Sequence, residues 1–266
     1  RWVWAPGRGG GAGGGLPANK VKPATGILAR LHLQPNRVRA ITINSGNANS
    51  CTGAQGFKDA LLMAKLTADR LDLDPHQVLV SSTGVIGRNL PMAAIKTGII
   101  EACAQLSTDG GDRAARAIMT TDTVPKTAQL EVDIAETTIR VGGMCKGSGM
   151  IHPNMGTLLA YITTDAAVES GLMAKLVKPI ADRSFNQVTV DGDSSTNDTF
   201  LMLANGPAGN QALRAGRAEA ALFAPALPPV ARQPPRPCPR APRALTKPIS
   251  RRAGSALPHS PPTPPP

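Results

Sequence analysis

Gly142–Thr157 reads GGMCKGSGMIHPNMGT, and the apolar run Leu158–Thr163 follows at once. The stretch holds five glycines, one lysine and a Pro-Asn turn in front of a strand-like segment. Glycine reaches φ > 0 and lets a ligand approach the backbone closely. A long hairpin loop is the plain reading. A phosphate loop finds little support, because Lys146 precedes Gly-Ser-Gly rather than following four free residues and a glycine.

The flanks set the fold class. Upstream, Leu130, Val132 and Ile134 alternate, as do Ile139 and Val141, which predicts a hairpin around Glu136-Thr137. Downstream, Val168–Ile180 has helical spacing, with Pro179 expected to end or kink the helix. Val188 and Val190 then lead into an acidic turn. Nearer the N-terminus, Val38–Ile43 reads as a strand ending at the turn-rich Asn44-Ser45-Gly46-Asn47. Phe57, Leu61, Ala64, Ala68 and Leu71 mark one face of an amphipathic helix. Val78–Val80 reads as a buried strand stopped at Ser81-Ser82-Thr83-Gly84, and Met92–Leu106 repeats the helical period. Strands and helices in mixed order predict an α/β class, with mixed β-sheets packed against helices.

Composition separates this middle from its ends. The net charge of +11 suggests nucleic acid or an anionic membrane surface as a partner. Residues 211–266 carry nine Lys/Arg against Glu219 alone, and residues 1–18 add Arg1 and Arg8, which leaves 19–210 near neutrality. A near-neutral middle argues against a nucleic-acid-binding domain there. Residues 1–18 contain seven glycines and little that can pack, so disorder is expected. Residues 211–266 hold fifteen of the 25 prolines and read as an extended or disordered tail. A natural linker is one reading of that abrupt change, and a foreign or frame-shifted C-terminus is another. Four scattered cysteines without a CxxC pair suggest reduced thiols and no metal site. No apolar run reaches the roughly 18 residues a membrane span needs. A cytoplasmic setting is the expectation.

Two further clusters bear on chemistry. Ser82–Gly87 (STGVIG) follows a strand, and a strand ending in Thr-Gly can aim a hydroxyl and a backbone N–H at one spot, as an oxyanion hole requires. An ordinary strand-to-helix turn is the plainer reading. Asp191–Asp198 (DGDSSTND) has calcium-loop composition without EF-hand spacing, so a structural turn is expected. His32, His76, His152 and His259 have no readable Ser/Asp partners, which disfavours a serine-hydrolase triad.

Together these clusters resemble the ornithine acetyltransferase (glutamate N-acetyltransferase) family of arginine biosynthesis, whose members cut themselves. The matching strings are Asn44–Gly56, Val80–Gly87, Ile118–Lys126, Lys146–Asp165 and Val190–Gly206, in the family's order. The resemblance covers about residues 18–210, and both ends depart from it. It implies an N-terminal-threonine-nucleophile fold, with 19–156 like the family's α chain and 157–210 like a truncated β chain. It implies cleavage between Gly156 and Thr157, Gly156 standing where the family usually has alanine. Thr157 would then be the nucleophile, with its own α-amine as base. Thr83 and Gly84 would form the oxyanion hole. Thr120 and Lys146 would bind substrate together with Thr157, with Thr121 a close competitor for the Thr120 role. The implied reaction moves acetyl from N2-acetylornithine to glutamate without a cofactor, acetyl-CoA being a further possible donor. A heterotetramer of two α and two β chains is implied, with no nucleic-acid or membrane partner. Three other readings stay open: an amidohydrolase or aminopeptidase on the related self-cleaving fold, an inactive truncated fragment, and a binding protein whose Arg/Pro tail meets an acidic or SH3-like partner.

Overall fold

A computed structural model describes residues 11–15, 22–33, 37–148, 158–187 and 195–231. Among these described residues, seven strands form two sheets. Strands β2 (Ala40–Asn47) and β3 (Val78–Val85) make a parallel pair. Strands β1 (Ala12–Gly15), β4 (Lys126–Ile134), β5 (Thr137–Lys146), β6 (Leu159–Thr164) and β7 (Thr199–Ala204) form the second sheet, in the order β1-β7-β6-β5-β4. In it β6 and β7 are parallel and the other neighbours antiparallel, so the expected mixed sheet is present.

Side-chain alternation along the strands stacks these sheets into layers. Ala40, Val78 and Val80 turn toward α1 (Ala24–Leu33), α2 (Gly53–Leu71) and α3 (Met92–Ala104). Ile41, Ile43 and Leu79, on the opposite face, meet Leu159, Tyr161, Leu201 and Leu203 of the larger sheet. The other faces of β6 and β7, with Ala160, Ile162, Phe200 and Met202, pack on α5 (Ser170–Asp182), α6 (Ala218–Phe223) and α7 (Leu227–Ala231). The short α4 (Gly111–Ala117) bridges β3 and β4 in sequence. The result is helices, sheet, sheet, helices, with an apolar seam between the sheets. Phe200 is fully buried and meets Phe185 edge-on, with ring centroids 5.2 Å apart.

Several expectations from sequence are corrected. Ala12–Gly15 does not lack structure: it pairs with β7, and α5 lies directly upon it. The reason is the missing side chain, since a Cβ on Gly13 would lie 2.9 Å from the Met173 carbonyl oxygen. Within the Pro/Arg-rich tail, residues 218–231 form helices whose Phe223, Leu227 and Val230 join the core, while 232–266 lie outside the described residues. Both strands of the parallel pair run on through their polar ends, Asn44–Asn47 and Ser81–Val85, because the ladder between them continues to Asn47 and Val85. Gly142 and Gly143 belong to β5 rather than to a loop. Helix α5 passes through Pro179 to Asp182, since the proline sits in the last turn on the exposed side while Ile180 and Ala181 stay buried. On α2 the buried stripe is Ala60, Met63, Ala64, Thr67 and Ala68, and Leu61 is exposed. Small side chains let that helix sit close on the parallel pair. His32 and His76, far apart in sequence, meet edge-on, and His32 Nδ1 lies 2.7 Å from the Val78 carbonyl.

The expected hairpin is present, with Ile134 opposite Thr137. Its two turn residues, Ala135 and Glu136, both have positive φ (45° and 65°), the pattern of a type I′ turn. Among the described residues no helix is long and apolar enough to cross a membrane. No group of three or more His, Cys, Asp or Glu there could hold a metal. Cys51, Cys103 and Cys145 are free thiols.

Candidate active site

Ligands in open α/β sheets gather at the carboxyl ends of parallel strands, and β3 ends in Thr83-Gly84-Val85. Ser45 lies opposite Thr83 and Gly46 opposite Gly84. Thr83 is buried. Gly84 has φ +126°, and a Cβ there would lie 2.3 Å from the carbonyl carbon and oxygen of Gly46. Only glycine fits, so the backbone of β3 comes to the strand end without a side chain between it and β2. Ser45 Oγ donates to the Ala117 carbonyl at 2.6 Å, which ties this end to the start of the Ile118–Lys126 segment.

That segment delivers a second group of residues. Lys146, the last residue of β5, is buried, and its ammonium donates to Thr120 Oγ1 at 2.8 Å. Burial lowers the Lys146 pKa from its ordinary value, with Asp122 and Asp198 opposing that and Lys126 adding to it. Asp122 pairs with Lys126 and accepts the Gly147 N–H at 2.8 Å. Burial raises the Asp122 carboxyl, but Lys126, the Gly147 N–H and Lys146 together hold it below the ordinary value. Lys126 also donates to the Gly147 carbonyl at 3.0 Å, so the chain leaving β5 toward the glycine-rich stretch is pinned on both sides. Thr121 takes a different partner, Ser148 Oγ, at 2.8 Å. Of the two adjacent threonines, the structure brings Thr120 and not Thr121 to Lys146.

A third group joins the two sheets. Asn197 Nδ2 donates to the Ser82 carbonyl at 3.2 Å, one residue before Thr83. Asp198 Oδ1 accepts the Leu158 N–H at 2.7 Å, one residue after Thr157. Ser50 Oγ donates to Thr196 Oγ1 at 2.8 Å, which brings in the loop after β2. Burial pushes the Asp198 carboxyl up to about 8, with the Leu158 N–H, the Ser195 hydroxyl and Lys146 pulling the other way.

The structure therefore brings Thr120 and Lys146 together at the end of β5, and it places Thr83 and Gly84 at the end of β3, where Asn197 and Asp198 link the neighbouring Ser82 to Leu158. Gly156 and Thr157, with the rest of Gly149–Thr157 and the acidic run 191–194, lie outside the described residues. Leu158, covalently next to Thr157, is buried one residue before β6. Sequence reading gave no role to Asn197, Asp198 or Asp122. The available signal was positional: Asp198 closes a polar run and stands directly before the apolar strand TFLMLA.

The ArgJ family matches residues 10–233, a wider span than 18–210. The arginine biosynthesis bifunctional protein ArgJ of Symbiobacterium thermophilum is 50% identical over 216 residues, which is 81% of this chain and 54% of that protein. The ornithine acetyltransferase of Mycobacterium tuberculosis, solved in complex with ornithine, is 34% identical over 58% of this chain and 78% of that one, with a TM-score of 0.47. The PH0078 protein of Pyrococcus horikoshii, at 13% identity and a TM-score of 0.50 over 84% of this chain and 69% of that one, shares the fold alone. The chain spans about half the length of the curated relatives it matches. With five strings in order along one α/β scaffold and a match over residues 10–233, the chain belongs to the ArgJ family.

Proposed function

We propose that the chain carries the catalytic core of a glutamate N-acetyltransferase that cuts itself between Gly156 and Thr157. The observation that carries this reading is a set of three supports around the strand ends that flank Leu158, the residue just before β6. These are the Thr83-Gly84 strand end, the buried Lys146–Thr120 pair, and the Asn197–Asp198 link to Ser82 and Leu158.

In this reading Thr157 Oγ attacks the Gly156 carbonyl carbon, the acyl group shifts from nitrogen to oxygen, and water hydrolyses the ester. Thr157 is left with a free α-amine. An α-amine has a pKa of about 7.7–8.0, so part of it is unprotonated near neutrality. It accepts the proton from its own Oγ as that oxygen attacks the acetyl carbonyl of N2-acetylornithine. The proton passes to the departing amine, ornithine leaves, and acetyl-Thr157 remains. The amine of glutamate then attacks that ester and N-acetylglutamate departs. Thr83 Oγ and the Gly84 N–H stabilise the oxyanion of both tetrahedral states, and removing one such donor costs about 10²–10³ in turnover. Lys146 binds the substrate carboxylate: a buried ammonium partnered by a hydroxyl gains from a fixed negative charge. Acetyl-CoA is a further donor, and the cleaved chains assemble as two α and two β in the cytoplasm.

The test is incubation of the purified chain with N2-acetylornithine and glutamate. Ornithine and N-acetylglutamate in equal amounts, absent with Thr157→Ala, support the reading. Ornithine released with acetate at saturating glutamate contradicts transfer and favours an amidohydrolase.

A further inference from the structure

Strand β3 has two edges, and its hydrogen bonds show which backbone groups lie on each. The Gln77 carbonyl accepts the Arg39 N–H at 2.8 Å and the Val85 carbonyl accepts the Ala48 N–H at 2.9 Å, both on the side of β2. The Val78 carbonyl instead meets His32 Nδ1, and the Ser82 carbonyl accepts from Asn197 Nδ2, both from elements other than β2. Alternate residues of a strand direct their N–H and C=O to opposite edges. Odd-numbered residues of β3 therefore face β2, and even-numbered ones face outward. Gly84 is even-numbered, so its N–H lies on the outer edge with the Ser82 carbonyl. Gly84 is exposed, and no acceptor outside the ladder takes its N–H among the described residues.

Two anchors bracket that N–H, and both start from Ser50. The Ser50 hydroxyl donates to Thr196 Oγ1 at 2.8 Å, Thr196 Oγ1 donates to Asn197 Oδ1 at 2.8 Å, and Asn197 Nδ2 donates to the Ser82 carbonyl at 3.2 Å. The proton donated to Oδ1 fixes which way the Asn197 amide points and leaves its nitrogen for Ser82. Downstream, the Ser50 carbonyl accepts the Gly87 N–H at 3.0 Å. Ser50 and Asn197 are buried, where a low local dielectric strengthens such bonds. The chain is thus held on either side of Gly84, at Ser82 and at Gly87, by one connected network.

We propose that Ser50, Thr196 and Asn197 are positioning residues of the oxyanion hole: their hydrogen-bond chain holds the outer edge of β3 so that the Gly84 N–H is presented away from the sheet as a donor. This rests on the proposed reaction using the Gly84 N–H. None of the three side chains needs to touch a substrate. An oxyanion donor acts on the transition state alone, so misaiming it lowers kcat and leaves KM unchanged.

The experiment compares the full wild-type chain with Asn197→Asp, Thr196→Val and Thr196→Ser in acetyl transfer from N2-acetylornithine to glutamate. Aspartate has the shape of asparagine but offers the Ser82 carbonyl no N–H. It is expected to lower kcat about 10²-fold with KM within about twofold of wild type. Valine removes the middle hydroxyl and is expected to lower kcat about tenfold, and serine, which keeps it, to recover at least about threefold of that loss. Amide hydrogen exchange in the wild type gives a reading that needs no activity: Gly84 is expected to exchange freely and Gly87 to be protected. A fall confined to KM overturns the proposal, as does Thr196→Ser as slow as Thr196→Val. So does a protected Gly84 amide, which holds even where a variant does not fold. A wild-type chain without transfer removes the reaction and this proposal with it, whereas Asn197→Asp within about threefold of wild-type kcat removes this proposal alone.

Discussion

Gly84→Ala puts a methyl group where the structure has no room. The new Cβ would lie 2.3 Å from the carbonyl carbon and oxygen of Gly46 and 2.8 Å from the Asn47 nitrogen, all backbone of the partner strand. Backbone cannot swing aside as a side-chain tip can, so the parallel pair must open. The residue also has φ +126°, a region that costs a non-glycine residue about 1–3 kcal/mol. Overpacking adds about 1–3 kcal/mol, and about 4 kcal/mol in all is expected. At about 2–4 °C per kcal/mol for a chain of this size, the melting midpoint should fall by about 8–16 °C. Gly87→Ala is the control: φ is +77° but nothing lies within 4 Å of its Cβ, so only the conformational cost applies. The assay is thermal unfolding by circular dichroism at one scan rate for wild type and both variants. A Gly84→Ala midpoint within about 2 °C of wild type, or level with Gly87→Ala, would refute the steric argument.

Other outcomes follow from the same structure. Phe200→Ala, which removes a fully buried ring stacked edge-on against Phe185, should cost about 3–5 kcal/mol, read by denaturant unfolding; a loss under about 1 kcal/mol would contradict the packing described. Replacing Ala135-Glu136 by Asn-Gly relieves two positive-φ residues in the β4–β5 turn and should stabilise by about 1 kcal/mol, with no change or a loss counting against a type I′ turn. Asp198 has a folded pKa of about 8, above its ordinary 3.8, so its contribution to stability is present below about pH 4 and is lost as pH rises toward 8. Wild-type stability should therefore fall relative to Asp198→Asn across that window, with a slope of up to about 1.4 kcal/mol per pH unit, and parallel pH curves for the two proteins would contradict the shift.

Elements with strong local periodicity were legible in the sequence. The β4–β5 hairpin declares itself through alternation in Leu130, Val132, Ile134, Ile139 and Val141, and α3 and α5 through helical spacing. Features decided by neighbours in space were not. The polar ends Asn44–Asn47 and Ser81–Gly84 look like turns, yet the parallel ladder carries them as strand. Gly13 and Gly14 look unable to fold, yet their bareness is what lets α5 and β7 close upon them. At the site, glycine-rich strings drew attention to Thr83, Gly84 and Lys146, because glycine and a lone lysine stand out in one dimension. The choice of Thr120 over Thr121 depends on which hydroxyl faces Lys146 Nζ, a matter of side-chain direction that adjacent identical residues hide. Asn197 and Asp198 act on residues 115 and 40 positions away, a separation that no local pattern reveals.

The proposed function depends on a backbone break that creates the amine beside the Thr157 hydroxyl. Intact mass and N-terminal sequencing of the purified, folded chain test it directly. The expected result is two fragments, one ending at Gly156 and one beginning at Thr157, with Thr157→Ala remaining whole. A folded wild-type chain still in one piece after long incubation, with Arg1 as its sole amino terminus, would contradict it.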